Sequence, residues 1–142
     1  MNNQGLKFFS TIAKVHRSFV RELNKKFADK GMNYLDFLIL RAVMEKESTM
    51  SELAKRYYVT QATITASVDR LEQKGYVERK RDLIDRRVVT VKITKKGEET
   101  FKDLLKDYSS LADEVIKNIK VDDTIEILQK ILNKLDILSS KS

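Results

Sequence analysis

Nine cations fall between Lys74 and Lys96 (Lys74, Arg79, Lys80, Arg81, Arg86, Arg87, Lys92, Lys95 and Lys96), opposed only by Glu78, Asp82 and Asp85. Such a local excess suits a polyanion, because cations that displace condensed counterions from phosphates gain affinity through ion release. Arg86 stands at the tip of this stretch, where a guanidinium can enter a narrow A·T-rich minor groove. Arg87 points to the opposite side of an extended chain and is expected to stiffen the tip by pairing with Asp85 or Asp82; the two arginines can also exchange these roles. Arg81 is placed to clamp a phosphate. A second set lies upstream in QATITASVDRLEQ. At about 100° per residue, Ile64, Val68 and Leu71 share one stripe, while Ala62, Thr63, Ala66, Asp69, Arg70 and Gln73 lie opposite. Gln61 and Thr63 can reach base edges or phosphates from the helix start, and Arg70 can reach guanine or backbone. Asp69 sits awkwardly beside phosphates and is expected to pair with a neighbouring cation.

The elements that must position these residues can be read from caps and periodicity. Thr49 and Glu52 form a T-x-x-E capping signal for a short helix through Tyr57. Thr60 can cap the next helix, which runs to Lys74 and stops at Gly75. Two arms follow, YVERKR and RVVTVKI, with Val89, Val91 and Ile93 on one face as in a half-buried ribbon. Helix, turn, helix and β-ribbon in that order is the layout of a winged helix-turn-helix, which lays a helix in a DNA groove and a hairpin along the backbone.

Longer helices flank this lobe. From Leu6, apolar residues recur at steps of three and four through Phe27, and Lys30-Gly31 supplies a stop. His16 lies on that apolar stripe, where packing at an interface is the expected role. Asn33 and Asp36 look like an N-cap pair for a helix from Tyr34 to about Lys46. Thr94 opens a helix carrying Phe101, Leu104, Tyr108 and Leu111, and a last helix begins near Asp122 with Ile125, Leu128, Leu132, Leu135 and Leu138. The terminal helices are more apolar than a small winged lobe covers, so residues 1–30 and 95–142 are expected to form a homodimer layer and 31–94 the DNA-binding lobe. Packing on the chain's own core is the alternative.

Composition narrows the class. With 142 residues, 42% hydrophobic and 35% charged, net charge +7 and pI near 9.5, the chain fits one folded domain with a polyanionic partner. No apolar run approaches the roughly 20 residues that span a bilayer, and the N-terminus shows no signal-peptide pattern, so a cytoplasmic, non-membrane protein is expected. Zero cysteines and one histidine argue against a disulfide framework, a metal site or a cofactor. No P-loop, G-x-G-x-x-G or G-x-S-x-G occurs, and an enzyme is not expected.

The strings SELAKRYYVTQATITASVDRLEQKGYVER, DLIDRR and VKITKKG together resemble the MarR family of transcriptional regulators over essentially the whole chain. STIAK, SFVRELN and NYLDFLILRA further resemble archaeal members. The resemblance implies a mainly α fold with a small β-ribbon, an obligate homodimer with two winged lobes, and a pseudo-palindromic double-stranded DNA operator. It also implies that Arg87 stiffens the wing. Many relatives carry a base-reading arginine where this chain has Ala66, which can only touch a thymine methyl or leave room for water, so more reliance on DNA shape is expected. Many members release DNA when a phenolic or aromatic compound binds between dimer layer and winged lobe. Lys14, Arg17, Tyr34 and Tyr108 fall at positions bordering that cleft; two cations can hold a carboxylate and two tyrosines can stack on an aromatic acid, phenol or aldehyde. Core-filling tyrosines and solvated cations remain equally open, and a ligand-independent architectural DNA binder is the alternative function.

Overall fold

Each of the first four helices starts on an asparagine or threonine whose side chain accepts an otherwise free backbone N–H. In α1 (Gln4–Ala28) Asn3 Oδ1 accepts from Leu6 N at 2.9 Å. In α2 (Tyr34–Glu45) a complete capping box links Asn33 and Asp36. Thr49 opens α3 (Met50–Arg56) by accepting from Glu52 N, and Thr60 opens α4 (Gln61–Gln73) by accepting from Thr63 N. Thr94 precedes α5 (Lys95–Ile116), its hydroxyl accepting from Gly97 N at 3.0 Å and donating to the Gly75 carbonyl at 2.6 Å. The last helix is α6 (Asp122–Ser140). These elements come from a computed structural model that describes residues 3–141; Met1, Asn2 and Ser142 of the expected 1–142 span lie outside the described residues.

Three strands, β1 (Ser48–Thr49), β2 (Val77–Arg81) and β3 (Val89–Ile93), form an antiparallel sheet in the order β1-β3-β2. Val77 pairs with Ile93 and Arg81 with Val89, which sets the wing's register, while Ser48 pairs with Val91. The two-stranded ribbon expected from sequence therefore gains a third strand. Two residues carry no alternation signal, so β1 exists because the tertiary structure brings it beside β3.

The chain divides into one unit through Tyr108 and another from Ser109. In the first, Phe37 of α2 is the hub of an aromatic stack, with Phe27 at 5.5 Å, Phe101 at 5.4 Å and Tyr108 at 5.1 Å between ring centroids. Around it Leu23, Ile39, Leu40, Ile64, Val68, Leu71, Val77, Val91 and Leu104 are fully or almost fully buried, each contributing about 1.5–3 kcal/mol of apolar burial. The end of α1 and the start of α5, read from sequence as dimerisation helices, thus also supply this lobe's core. Gly97 is required by a close approach: a Cβ there would lie 2.0 Å from the Tyr76 carbonyl oxygen, so the first turn of α5 is held against the start of the wing. In the second unit, α6 has no buried residue, and Leu128, Leu132 and Leu135 are 39%, 54% and 49% exposed.

Candidate nucleic-acid interface

The stripe that anchors α4 is Ile64, Ser67, Val68 and Leu71, all buried. That leaves Gln61, Ala62, Thr63 and Ala66 exposed on the opposite side, so the helix presents mostly small or neutral side chains. Thr63 is partly committed: its backbone N–H and hydroxyl both meet Thr60 Oγ1, at 3.1 and 2.9 Å. Gln61 borders a cleft of about 610 Å³ between the first turns of α3 and α4 and the wing, whose walls include Thr65, Arg81 and Arg87.

Arg70 is placed differently from the expectation that it reaches guanine or the DNA backbone. Its Nη1 donates to Asp36 Oδ2 at 3.0 Å and its Nη2 to Ser67 Oγ at 3.1 Å. Asp36 is fully buried, and its other oxygen, Oδ1, has no hydrogen-bond partner. Because a buried carboxylate needs a cation and donors to offset its lost hydration, this pair ties the guanidinium to α2. The residue at the free end of the pattern is therefore a brace for α4.

The wing sorts its cations in the same way. Arg79 Nε and Nη2 donate to Glu72 at 3.1 and 2.8 Å, and its Nη1 pairs with Asp69 at 2.7 Å, fastening β2 to α4. Asp69 thus has the basic partner its position called for. Glu72 is held below the usual carboxylate range first by the Arg79 side-chain hydrogen bonds and then by the Arg79 N–H. At the tip, Arg87 Nε and Nη2 donate to Asp85 at 3.0 and 3.2 Å. Asp82 takes another task, accepting from the N–H groups of Ile84 and Asp85 at 2.8 and 2.9 Å. The guanidinium of Arg81 donates to the carbonyl of Arg86 across the hairpin. Arg86 and Lys80 are exposed and form no ion pair among the described residues.

Both tip aspartates are lowered from their ordinary pKa, Asp82 by backbone N–H donors and Asp85 first by the Arg87 side chain. A folded pKa below the unfolded one contributes stability above the ordinary aspartate range, lost as the pH falls through the lowered value. At neutral pH both carboxylates are therefore ionised and able to accept from these donors. Leu83 and Ile84 sit at its apex, 83% and 98% exposed.

A second cluster gathers phenols. Tyr34 lies edge-on to His16 at 5.9 Å, and Tyr108 stacks on Phe37 and meets Phe19 edge-on at 5.3 Å. The Tyr34 hydroxyl is raised by burial first, then by the phenols of Tyr108 and Tyr57, with Arg41 opposing. Tyr57 and Arg41 therefore belong to this neighbourhood, though sequence spacing did not single them out. Lys14 and Arg17 are exposed on α1 and make no hydrogen bond or ion pair among the described residues.

Comparison with known proteins places this geometry. The profile of the family described as "Transcriptional regulator SarA/Rot" matches residues 21–104. The HTH-type transcriptional regulator MhqR of Bacillus subtilis is 28% identical over 138 residues, covering 96% of this chain and 94% of its own. The crystal structure of the transcriptional regulator BldR from Sulfolobus solfataricus superposes with a TM-score of 0.87 at 40% identity, covering 94% of this chain and 99% of that one. Reduced AbfR bound to DNA shares the fold, with a TM-score of 0.78 at 23% identity over 93% of this chain and 92% of that one. With a buried-faced α4 after a tight turn, a charged hairpin beyond it, and a profile match over both, the chain belongs to the SarA/Rot family of transcriptional regulators, built on the MarR-type winged-helix fold.

Proposed function

We propose that the chain acts as a homodimeric, sequence-specific regulator that binds double-stranded DNA at a pseudo-palindromic operator. The observation that carries this reading is the division of charge in the wing. Arg79 and Arg87 are neutralised by Glu72, Asp69 and Asp85, whereas Arg86 and Lys80 are left exposed at a tip whose backbone is held by Asp82. A hydrogen-bonded hairpin ending in unpaired cations suits a minor groove. From α4, Gln61 and Thr63 reach base edges or phosphates, and Arg81 and Arg87 stand near enough to the cleft to meet the backbone. Ala62 and Ala66 limit direct readout to apolar contact, which favours recognition of DNA shape. The same alanines support a second reading, a ligand-independent architectural DNA binder.

Dimerisation is proposed through α1, α5 and α6. Leu128, Leu132 and Leu135 lie along α6 at steps of three and four, and exposed apolar residues on this scale mark an interaction face. Sedimentation at micromolar concentration is expected to give twice the 16.5 kDa chain mass, and Leu128→Glu with Leu132→Glu to give the single mass. A folded wild-type monomer contradicts the two-lobed arrangement.

A small aromatic acid, phenol or aldehyde is proposed as the effector, held by Tyr34 and Tyr108 with Lys14 and Arg17 as carboxylate partners. It weakens DNA binding only if it prefers one lobe spacing over another, and linkage requires DNA to weaken ligand binding by the same factor. Calorimetry with salicylate is expected to show binding to the wild type that is weakened in an Arg17→Ala, Tyr108→Phe variant. Equal binding to both moves the pocket elsewhere.

A further inference from the structure

The turn between α3 and α4 contains a residue whose conformation works against the fold. Tyr58 has φ 55°, and of the described residues with positive φ it is the one that is neither glycine nor asparagine. It follows the Tyr57 C-cap, with Tyr57 N–H donating to the Leu53 carbonyl and Val59 N–H to the Ala54 carbonyl at 3.0 Å, a helix ending that glycine adopts without a Cβ penalty. A bulky aromatic there is a genuine outlier. Packing does not offset the strain, because Tyr58 is 90% exposed and its ring meets no other ring or cation among the described residues. Its hydroxyl has no hydrogen-bond partner there either, in contrast to Tyr57, whose hydroxyl donates to the Leu38 carbonyl at 2.9 Å. Residues strained in this way are held by the surrounding structure and cluster where a protein meets its ligands.

The location says which task. Tyr58 lies two residues before Thr60, the N-cap of α4, and is exposed beside the end of the helix proposed above to enter a groove. Lys55, on the preceding helix, is exposed and without an ion pair among the described residues, and the N-terminus of α4 adds its own positive potential. A neutral O–H on a rigid ring is a phosphate donor of the kind that fixes register on a duplex without reading sequence.

We propose that Tyr58 is a DNA-backbone contact, its hydroxyl donating to a phosphate oxygen at the edge of the groove occupied by α4; this rests on the DNA-binding reading given above. The turn then trades conformational ease for a contact made only in the complex.

That trade gives a signature which a structural residue would not show. Tyr58→Gly removes the left-handed strain and Tyr58→Phe keeps it while deleting the hydroxyl. The full chain is titrated against duplex DNA from the region immediately upstream of its own coding sequence, at several salt concentrations, with thermal unfolding in parallel. Tyr58→Gly is expected to unfold at a higher temperature, by about a few degrees, yet to bind about tenfold more weakly. Tyr58→Phe is expected to lose similar affinity with Tm unchanged. Neither variant alters the slope of log K against log salt, since a neutral donor releases no counterion. Wild-type affinity in both variants overturns the Tyr58 assignment and leaves the DNA-binding reading standing. Wild-type affinity in Tyr58→Phe alone also overturns it, because the hydroxyl is then idle. A wild type that binds no duplex at any salt concentration removes the DNA-binding reading and this assignment with it.

Discussion

Arg70→Ala is expected to lower the unfolding free energy by about 3–5 kcal/mol, the cost of leaving a buried carboxylate without its cation. Asp36 is fully buried, accepts from Arg70 at 3.0 Å and from the Asn33 N–H at 3.0 Å, and already has one oxygen without a partner. Removing the guanidinium leaves a single backbone donor to offset the lost hydration of a full charge. Urea denaturation would show the loss as a lower midpoint at unchanged slope. A compensating variant separates this brace from a DNA contact. Asp36→Leu combined with Arg70→Met removes both charges, and much of the stability should return, less about 1 kcal/mol for the lost capping box on α2. If Arg70→Ala instead leaves stability untouched and abolishes DNA binding, the residue is a reader and the brace is wrong.

Arg86→Ala has the second-largest expected effect. Its side chain has no ion-pair partner among the described residues, so its removal leaves no orphaned group behind, unlike the loss of Arg79 or Arg87. Binding to duplex DNA should weaken by about 1–3 kcal/mol, and the slope of log K against log salt should flatten by about one unit, with Tm unchanged. Arg87→Ala is the control. It frees Asp85 and loosens the tip, so its effect should appear partly as a loss of hairpin order rather than as a change of slope alone. A larger slope change for Arg87 than for Arg86 would mean that the two exchange roles.

Most of the architecture was legible because its signals are local. Asn33, Thr49, Thr60 and Thr94 announce helix starts by side-chain chemistry acting three residues away, and the apolar steps of α4 show its buried stripe without reference to any partner. What was missed is decided by contacts far apart in sequence. β1 pairs with β3 across about 40 residues, too distant for a two-residue strand to advertise. Arg70 lies on the outward side of a helical wheel, yet a long side chain can reach around to Asp36, 34 residues earlier. Arg79 reads as one more wing cation until Glu72 and Asp69 are seen beside it. Tyr58 was hidden for a different reason, since the sign of φ is invisible in sequence unless a glycine marks it. The pattern Lys-Arg-Tyr-Tyr-Val-Thr before an N-cap was the available clue, because a turn this short between two helices, with no glycine or asparagine in it, can leave some other residue in the left-handed region.

On the proposed reading, the chain recognises duplex DNA through a two-fold arrangement of α4 and the wing. Such recognition is tested most directly by footprinting the full chain on DNA upstream of its own coding sequence, across a range of salt concentrations. Two protected half-sites about one helical turn apart, lost steeply as salt rises, are the expected result. Uniform protection with no preferred segment, or none at low salt, would contradict it.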